Sequence, residues 1–191
     1  MLLSLGVRVV AVEPQPELGT RFLRRLDVRL EQTAVGAEPG KAELHLASET
    51  TAAAHLDPTW QEGRFSSLTW SRSISVPVTT LDALIAKHGA PHYCKIDVEG
   101  YEREALKGLS HAVPVLSFEF NGEFFSRAGQ CVDEIARLGV YEGNVVVGGL
   151  LAFRYQDWVP LPLLLTRLER IVHADPLAWG DVFVRRLQLG H

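Results

Sequence analysis

The segment Lys95-Ile96-Asp97-Val98-Glu99-Gly100 packs three charges into five residues. Side chains of an extended strand alternate between faces, so Lys95, Asp97 and Glu99 would share one face. A strand buried on both faces does not tolerate such a row unless the charges pair or stand at the rim of the sheet. Gly100 then lets the chain turn tightly, with no side chain in the way of a ligand. Two readings stand side by side. One is a Lys95–Asp97 ion pair, with Glu99 serving the N-terminus of the next helix. The other is a rim that handles the hydroxyls or the positive charge of a ligand. Two more strand ends carry acids: Glu13 after Val9–Val12, and Glu119 near the end of Val115–Phe120. In Rossmann-like sites an acid at the end of an early strand accepts hydrogen bonds from ribose hydroxyls, although a solvated carboxylate there is also ordinary. Three acids on one rim call for a cation or a hydroxyl-rich ligand, because like charges otherwise repel.

The elements that must position these residues can be read from periodicity. Val7–Val12 is a largely β-branched run that reads as a strand buried on both faces. It stops at Glu13-Pro14-Gln15-Pro16, and Leu18, Phe22 and Leu26 then mark an amphipathic helix over 17–26. Val28–Ala34 reads as a strand, followed by turns at Gly36 and Pro39-Gly40 and a half-exposed strand at Ala42–Leu46. Residues 48–73, with Trp60, Phe65 and Trp70, have no period. They read as a lid or substrate loop, or as a variable surface loop. Pro77 places Ile74–Val78 at a sheet edge, and Thr79 with Asp82 starts a helix that carries Leu81, Leu84, Ile85 and His88 and stops at Gly89. A strand follows at His92–Val98, a helix at Tyr101–Leu106, a strand at Val113–Phe120 and a helix through Ala128–Leu138. Val145–Phe153 reads as a hairpin around Gly148-Gly149, Leu161–Leu168 as a helix and Asp181–Arg186 as the last strand. This alternation predicts an α/β fold: one open, mostly parallel sheet with helices on both faces, and ligands beyond the carboxyl ends of its strands.

Composition narrows the function classes. The chain has 191 residues, 47% hydrophobic and 22% charged, which is the make-up of a single globular domain rather than a disordered or repetitive segment. A net charge of −4 supplies no basic field for nucleic acid or an anionic membrane. Cys94 and Cys131 stand far apart, and the seven histidines show no ligand spacing, so no metal is expected. Met1–Gly6 lacks the cationic start of a secretory signal, and Val159–Leu165 is too short and proline-broken to span a bilayer. The expected compartment is the cytoplasm; oligomeric state is left open.

Several segments together resemble the FkbM family of methyltransferases. They are Val10-Ala11-Val12-Glu13-Pro14, Val78-Thr79-Thr80-Leu81-Asp82-Ala83-Leu84, Lys95-Ile96-Asp97-Val98-Glu99-Gly100-Tyr101-Glu102 and Leu106-Lys107-Gly108. Ser117-Phe118-Glu119 and Gly180-Asp181-Val182-Phe183 fit its later part. The resemblance implies a Rossmann-like class I methyltransferase fold and S-adenosylmethionine as methyl donor. It further implies O-methylation of a hydroxyl on a small-molecule acceptor, a sugar or natural-product-like compound. Carried over by position, Glu13 with Pro14 would hold the ribose of the cofactor. Asp97 would lie beside the donor methyl and orient or deprotonate the acceptor, with Lys95, Glu99 and Glu119 as further groups that hold it.

One part of that pattern is missing. A glycine-rich turn should precede the acidic strand, and only Gly6 stands there, while Leu2, Leu3 and Leu5 look like the end of the helix that follows such a turn. The first strand of the fold is therefore expected to be absent, and residues 1–191 to form one domain incomplete at the N-terminus. That strand belongs between the Glu13 strand and the Lys95 strand, so its loss leaves two open edges. Two other functions compete: a degenerate methyltransferase-like binding module, and a nicotinamide-dependent enzyme using Glu13, in which the Lys95–Gly100 segment has no role.

Overall fold

The structure is a computed structural model that describes residues 6–22, 28–47, 54–56, 66, 69–70, 72–150 and 152–187. The helix end expected at Leu2–Leu5 and most of the 48–73 excursion, with Trp60 and Phe65, lie outside the described residues.

Strand β1 is Val9–Val12, and helix α1, Pro16–Phe22, begins on a proline whose missing N–H would be unpaired in a first turn anyway. Residues 23–27, into which the expected helix runs, are outside the described set. The expected strand Val28–Ala34 divides in two. Its first part, β2 (Val28–Glu31), pairs parallel with β1 in a two-stranded sheet. Every residue of β1 is only half-buried, against the expectation of a strand buried on both faces. A two-stranded ribbon does not surround its side chains as a wide sheet does, and its apolar residues keep part of their surface in water.

The remainder, β3 (Ala34–Val35), belongs to a second sheet with β4 (Gly40–Leu46), β5 (Ala54–His55) and β6 (Arg72–Thr79), in the order β3-β6-β4-β5. Leu44 is buried and Glu43 exposed, the predicted alternation. Pro77 does not sit on an edge strand, because β6 has neighbours on both sides. However, β3 is only two residues long and pairs with Val78 and Thr79, so no ladder donor is needed from Pro77 on that side. The Thr33 hydroxyl donates to the Pro77 carbonyl at 2.9 Å instead.

Helix α2, Leu81–His88, is capped by Thr80 rather than Thr79, its Oγ1 accepting the Ala83 N–H at 3.1 Å. Five strands then form the largest sheet: β7 (Tyr93–Ile96), β8 (Val115–Asn121), β9 (Tyr141–Val147), β10 (Val159–Pro160) and β11 (Trp179–Arg186), in the order β10-β9-β11-β8-β7. Between them run α3 (Glu102–Lys107), α4 (Phe125–Ala136) and α5 (Leu161–Ala174). The expected hairpin at Val145–Phe153 closes further along. The chain turns at Gly148-Gly149, and the Arg154 N–H donates to the Val145 carbonyl at 2.7 Å. β9 then pairs antiparallel with β10 at Val159–Pro160, with the Asn144 side chain donating to the Tyr155 carbonyl at 2.8 Å in the loop between.

The expected fold class, a mostly parallel Rossmann-like sheet with its first strand absent, is overturned. Only β1–β2, β3–β6 and β7–β8 are parallel, whereas β4–β5, β4–β6, β8–β11, β9–β11 and β9–β10 are antiparallel. No helix separates β3 from β4, which lie on either side of β6 with β4 antiparallel to it, and β11 inserts antiparallel between β8 and β9. Gly180 permits the insertion, since a Cβ there would run into the Val146 carbonyl. Hydrophobic periodicity finds strands but carries no strand direction.

The core lies on one face of this sheet. Leu116, Phe118, Phe120, Val182, Val184 and Val145 pack with Ala105 and Leu106 of α3, Val132 and Ile135 of α4, and Leu164 and Leu168 of α5. Cross-strand register places Tyr93, Lys95, Ser117, Glu119, Asp181, Phe183 and Asn144 together on the opposite face.

Candidate active site

The Lys95–Gly100 segment begins as a strand and leaves it. Strand β7 ends at Ile96, so Asp97 is the first residue past the sheet and Glu99 lies in a turn rather than on the same strand face. Glu99 takes a left-handed φ of 51° and Gly100 one of 89°. A non-glycine residue in that region is held there by its surroundings. The holder is Glu102, 5% exposed, whose Oε1 accepts the N–H groups of Val98 at 3.2 Å and Gly100 at 3.1 Å. From α4, Arg127 donates to the Gly100 carbonyl at 3.1 Å. The turn is thus gripped from both of its backbone polarities.

The charges at the rim form a chain. Lys95 Nζ lies 3.2 Å from Asp97 Oδ2 and 3.2 Å from Asp181 Oδ1. Asp181 pairs across β11–β8 with Glu119, which places the two carboxylates side by side. Burial works against the Lys95 charge, but Asp97 and Asp181 outweigh it and hold the ammonium above its ordinary pKa. Glu119 has the opposite fate. Burial, then the nearby Asp97, Glu99, Glu102 and Asp181, push its carboxyl up to about 8. The Glu102 carboxyl is also raised, by burial against three backbone hydrogen bonds that favour its charge. A small cleft opens beside Glu119, lined by Glu102, Asn121, Phe124, Arg127 and Cys131.

Of the residues singled out from sequence, Lys95, Asp97, Glu99 and Glu119 therefore come together. The Lys95–Asp97 ion pair of the plainer reading is present, but it is one link of a larger cluster. Glu13 and Pro14 follow β1 and are half-buried, and among the described residues no hydrogen bond or ion pair links Glu13 to this cluster. Glu13 Oε1 accepts the Gln15 N–H at 2.8 Å, and burial raises the carboxyl against that bond. Asp181, Glu102 and Arg127 were missed. Glu102 was open to detection as an acid in the first turn of a helix that follows a glycine turn. Asp181 was not, because it lies near the start of its strand, and only an antiparallel β11 brings a strand's start to the rim where the others end.

Among the described residues no group of three or more histidine, cysteine, aspartate or glutamate side chains is arranged to hold a metal ion, and no helix is long and apolar enough to cross a membrane. The family model described as the methyltransferase FkbM domain matches residues 3–139. No curated protein and no solved structure matches the chain.

Proposed function

This chain belongs to the FkbM methyltransferase family, and from that premise we propose that it transfers a methyl group from S-adenosylmethionine to a hydroxyl of a small-molecule acceptor, a sugar or natural-product-like compound, in the cytoplasm. One observation carries the reading. Among the described residues, five carboxyl groups, Asp97, Glu99, Glu102, Glu119 and Asp181, share a rim with Lys95, which is itself shared between two of them. Such a surplus suits a cationic donor and a hydroxylated acceptor, and it does not suit a phosphate or a carboxylate.

The fit to the cofactor rests on two places. Glu13, fixed through Oε1 by the Gln15 N–H, has a second oxygen to offer a ribose diol, with Pro14 shaping the turn beside it. Asp97, half-exposed and anchored by Lys95, would face the sulfonium end. When bound, the cofactor supplies an electrophilic methyl group, and the chain supplies alignment, worth up to about 7–11 kcal/mol in well-oriented reactions. Asp97 orients the acceptor hydroxyl and Lys95 holds Asp97 in place. Glu99 borders the same turn, and Glu119 stands ready for proton transfer.

The test is transfer of label from methyl-labelled S-adenosylmethionine to a panel of polyhydroxylated acceptors. Label in a methyl ether is the expected result; cofactor binding with no transfer to any hydroxyl would count against O-methylation. A second reading has its own support. Glu13 follows β1 of the two-stranded sheet, whereas Lys95 and Glu119 belong to the five-stranded sheet. That arrangement favours a degenerate module that binds a ligand without transferring a methyl group. Calorimetry with S-adenosylmethionine separates the two, since only the enzyme reading requires the donor to bind.

A further inference from the structure

We propose that Glu119 is the base that takes the proton of the acceptor hydroxyl, and that the positive charge of the arriving methyl donor arms it by expelling the proton it otherwise holds. This rests on the S-adenosylmethionine reading above.

The geometry supplies the reason. Among the described residues, the cations near Glu119, Lys95 and Arg127, make contacts elsewhere. Lys95 bridges Asp97 and Asp181 at 3.2 Å each, and Arg127, from α4, donates to the Gly100 carbonyl at 3.1 Å. Around Glu119 stand Asp97 and Glu99 from the turn after β7, Glu102 from α3, and Asp181 directly across the ladder on β11. Cys131 of α4 lines the same cleft. Among the described residues no ion pair reaches Glu119 itself. A half-buried carboxyl facing four others keeps its proton, and its pKa of about 8 agrees. In that state it cannot accept another.

A sulfonium reverses the balance. One positive charge within about 4–6 Å lowers a carboxyl pKa by about 1–3, enough to ionise Glu119 at neutral pH. The base then exists only while the donor is loaded. The acceptor oxygen forms its bond to the methyl carbon, the carbon–sulfur bond breaks with its electron pair left on sulfur, and the hydroxyl proton moves to the Glu119 carboxylate. Sulfur is now an uncharged thioether. With the cation gone, Glu119 retains the proton until the next donor displaces it.

The experiment is calorimetric titration of the full chain in buffers of different ionisation enthalpy near pH 7.5, with S-adenosylmethionine and, separately, S-adenosylhomocysteine. The two ligands share every charged group except the sulfonium, so their difference isolates that charge. The proposal expects S-adenosylmethionine to release about half a proton or more per site, and S-adenosylhomocysteine to release markedly less. In Glu119→Gln the release should vanish while binding persists. Equal release by both ligands, or undiminished release in Glu119→Gln, overturns the proposal and leaves the methyl-donor reading standing. If neither ligand binds, the methyl-donor reading itself fails, and this proposal with it. The two-ligand comparison on the unmodified chain decides the matter even if the variant does not fold.

Discussion

The rim of the five-stranded sheet and the end of the two-stranded sheet both present carboxylates, and they are built to different standards. At the rim, Glu119 grows from a strand that has neighbours on both sides and an apolar face covered by three helices. The turn beside it is held by Glu102 from α3 and Arg127 from α4. Glu13 follows a four-residue, half-buried strand with one partner, and its carboxylate accepts a hydrogen bond from its own turn, the Gln15 N–H. The difference teaches where each task belongs. Proton transfer needs a carboxyl whose pKa is set by fixed surroundings, which a packed sheet supplies. Holding a diol, the task proposed for Glu13, needs only hydrogen-bond acceptors, and a half-buried ribbon suffices.

Asp97→Asn removes the carboxylate proposed to face the sulfonium and to orient the acceptor, and should lower kcat by about 10²-fold and weaken S-adenosylmethionine binding as well. Unchanged cofactor affinity would show that Asp97 does not share a site with the Glu13 end. Phe118→Ala opens a cavity under the rim and should destabilise the fold by about 3–5 kcal/mol in urea unfolding. Glu13→Ala should weaken S-adenosylmethionine binding by about 1.5–3 kcal/mol, read by calorimetry, and leave urea stability near that of the parent. Unchanged affinity would remove Glu13 from the site.

Smaller effects sharpen the contrast further. The folded pKa of Glu119, about 8, lies above its ordinary value of 4.5, so the folded state keeps a proton that the unfolded chain releases. Its contribution to stability is therefore full below about pH 4.5 and is lost as pH climbs through about 8. Glu119→Gln abolishes that loss and should raise Tm at pH 9 by about 2–4 °C relative to the parent. A Tm difference that does not grow between pH 5 and pH 9 would mean that Glu119 ionises normally. Val10→Ala in β1 should change stability by less than about 1 kcal/mol, because the side chain is only half-buried and leaves no enclosed cavity. A loss as large as that of Phe118→Ala would erase the distinction between the two regions.

Much of the secondary structure and part of the site were legible from the chain alone. Apolar spacing located α2 and α4 to within a few residues and the start of α5, and extended runs located β1, β7, β8 and β11 to within a few residues. Pro14 and Gly89 marked real ends. The cluster of Lys95, Asp97 and Glu99 was visible because charges in that spacing are out of place in a buried strand, and Glu119 because it closes another. Their local pattern, together with the FkbM segments, determined the family.

What only the tertiary structure decided is direction and neighbourhood. A strand shows the same alternation whichever way it runs, so nothing in Trp179–Arg186 announced that it would lie antiparallel between β8 and β9 and carry Asp181 to the rim. Nor did local sequence show that Glu13 would stand on a separate sheet from the acids it resembles. Residue types and spacings are local properties and can be read in order along the chain. The protonation state of Glu119 depends on carboxylates from three separate segments and on a lysine already shared between two of them. Charges act through space, and the fold decides which of them meet.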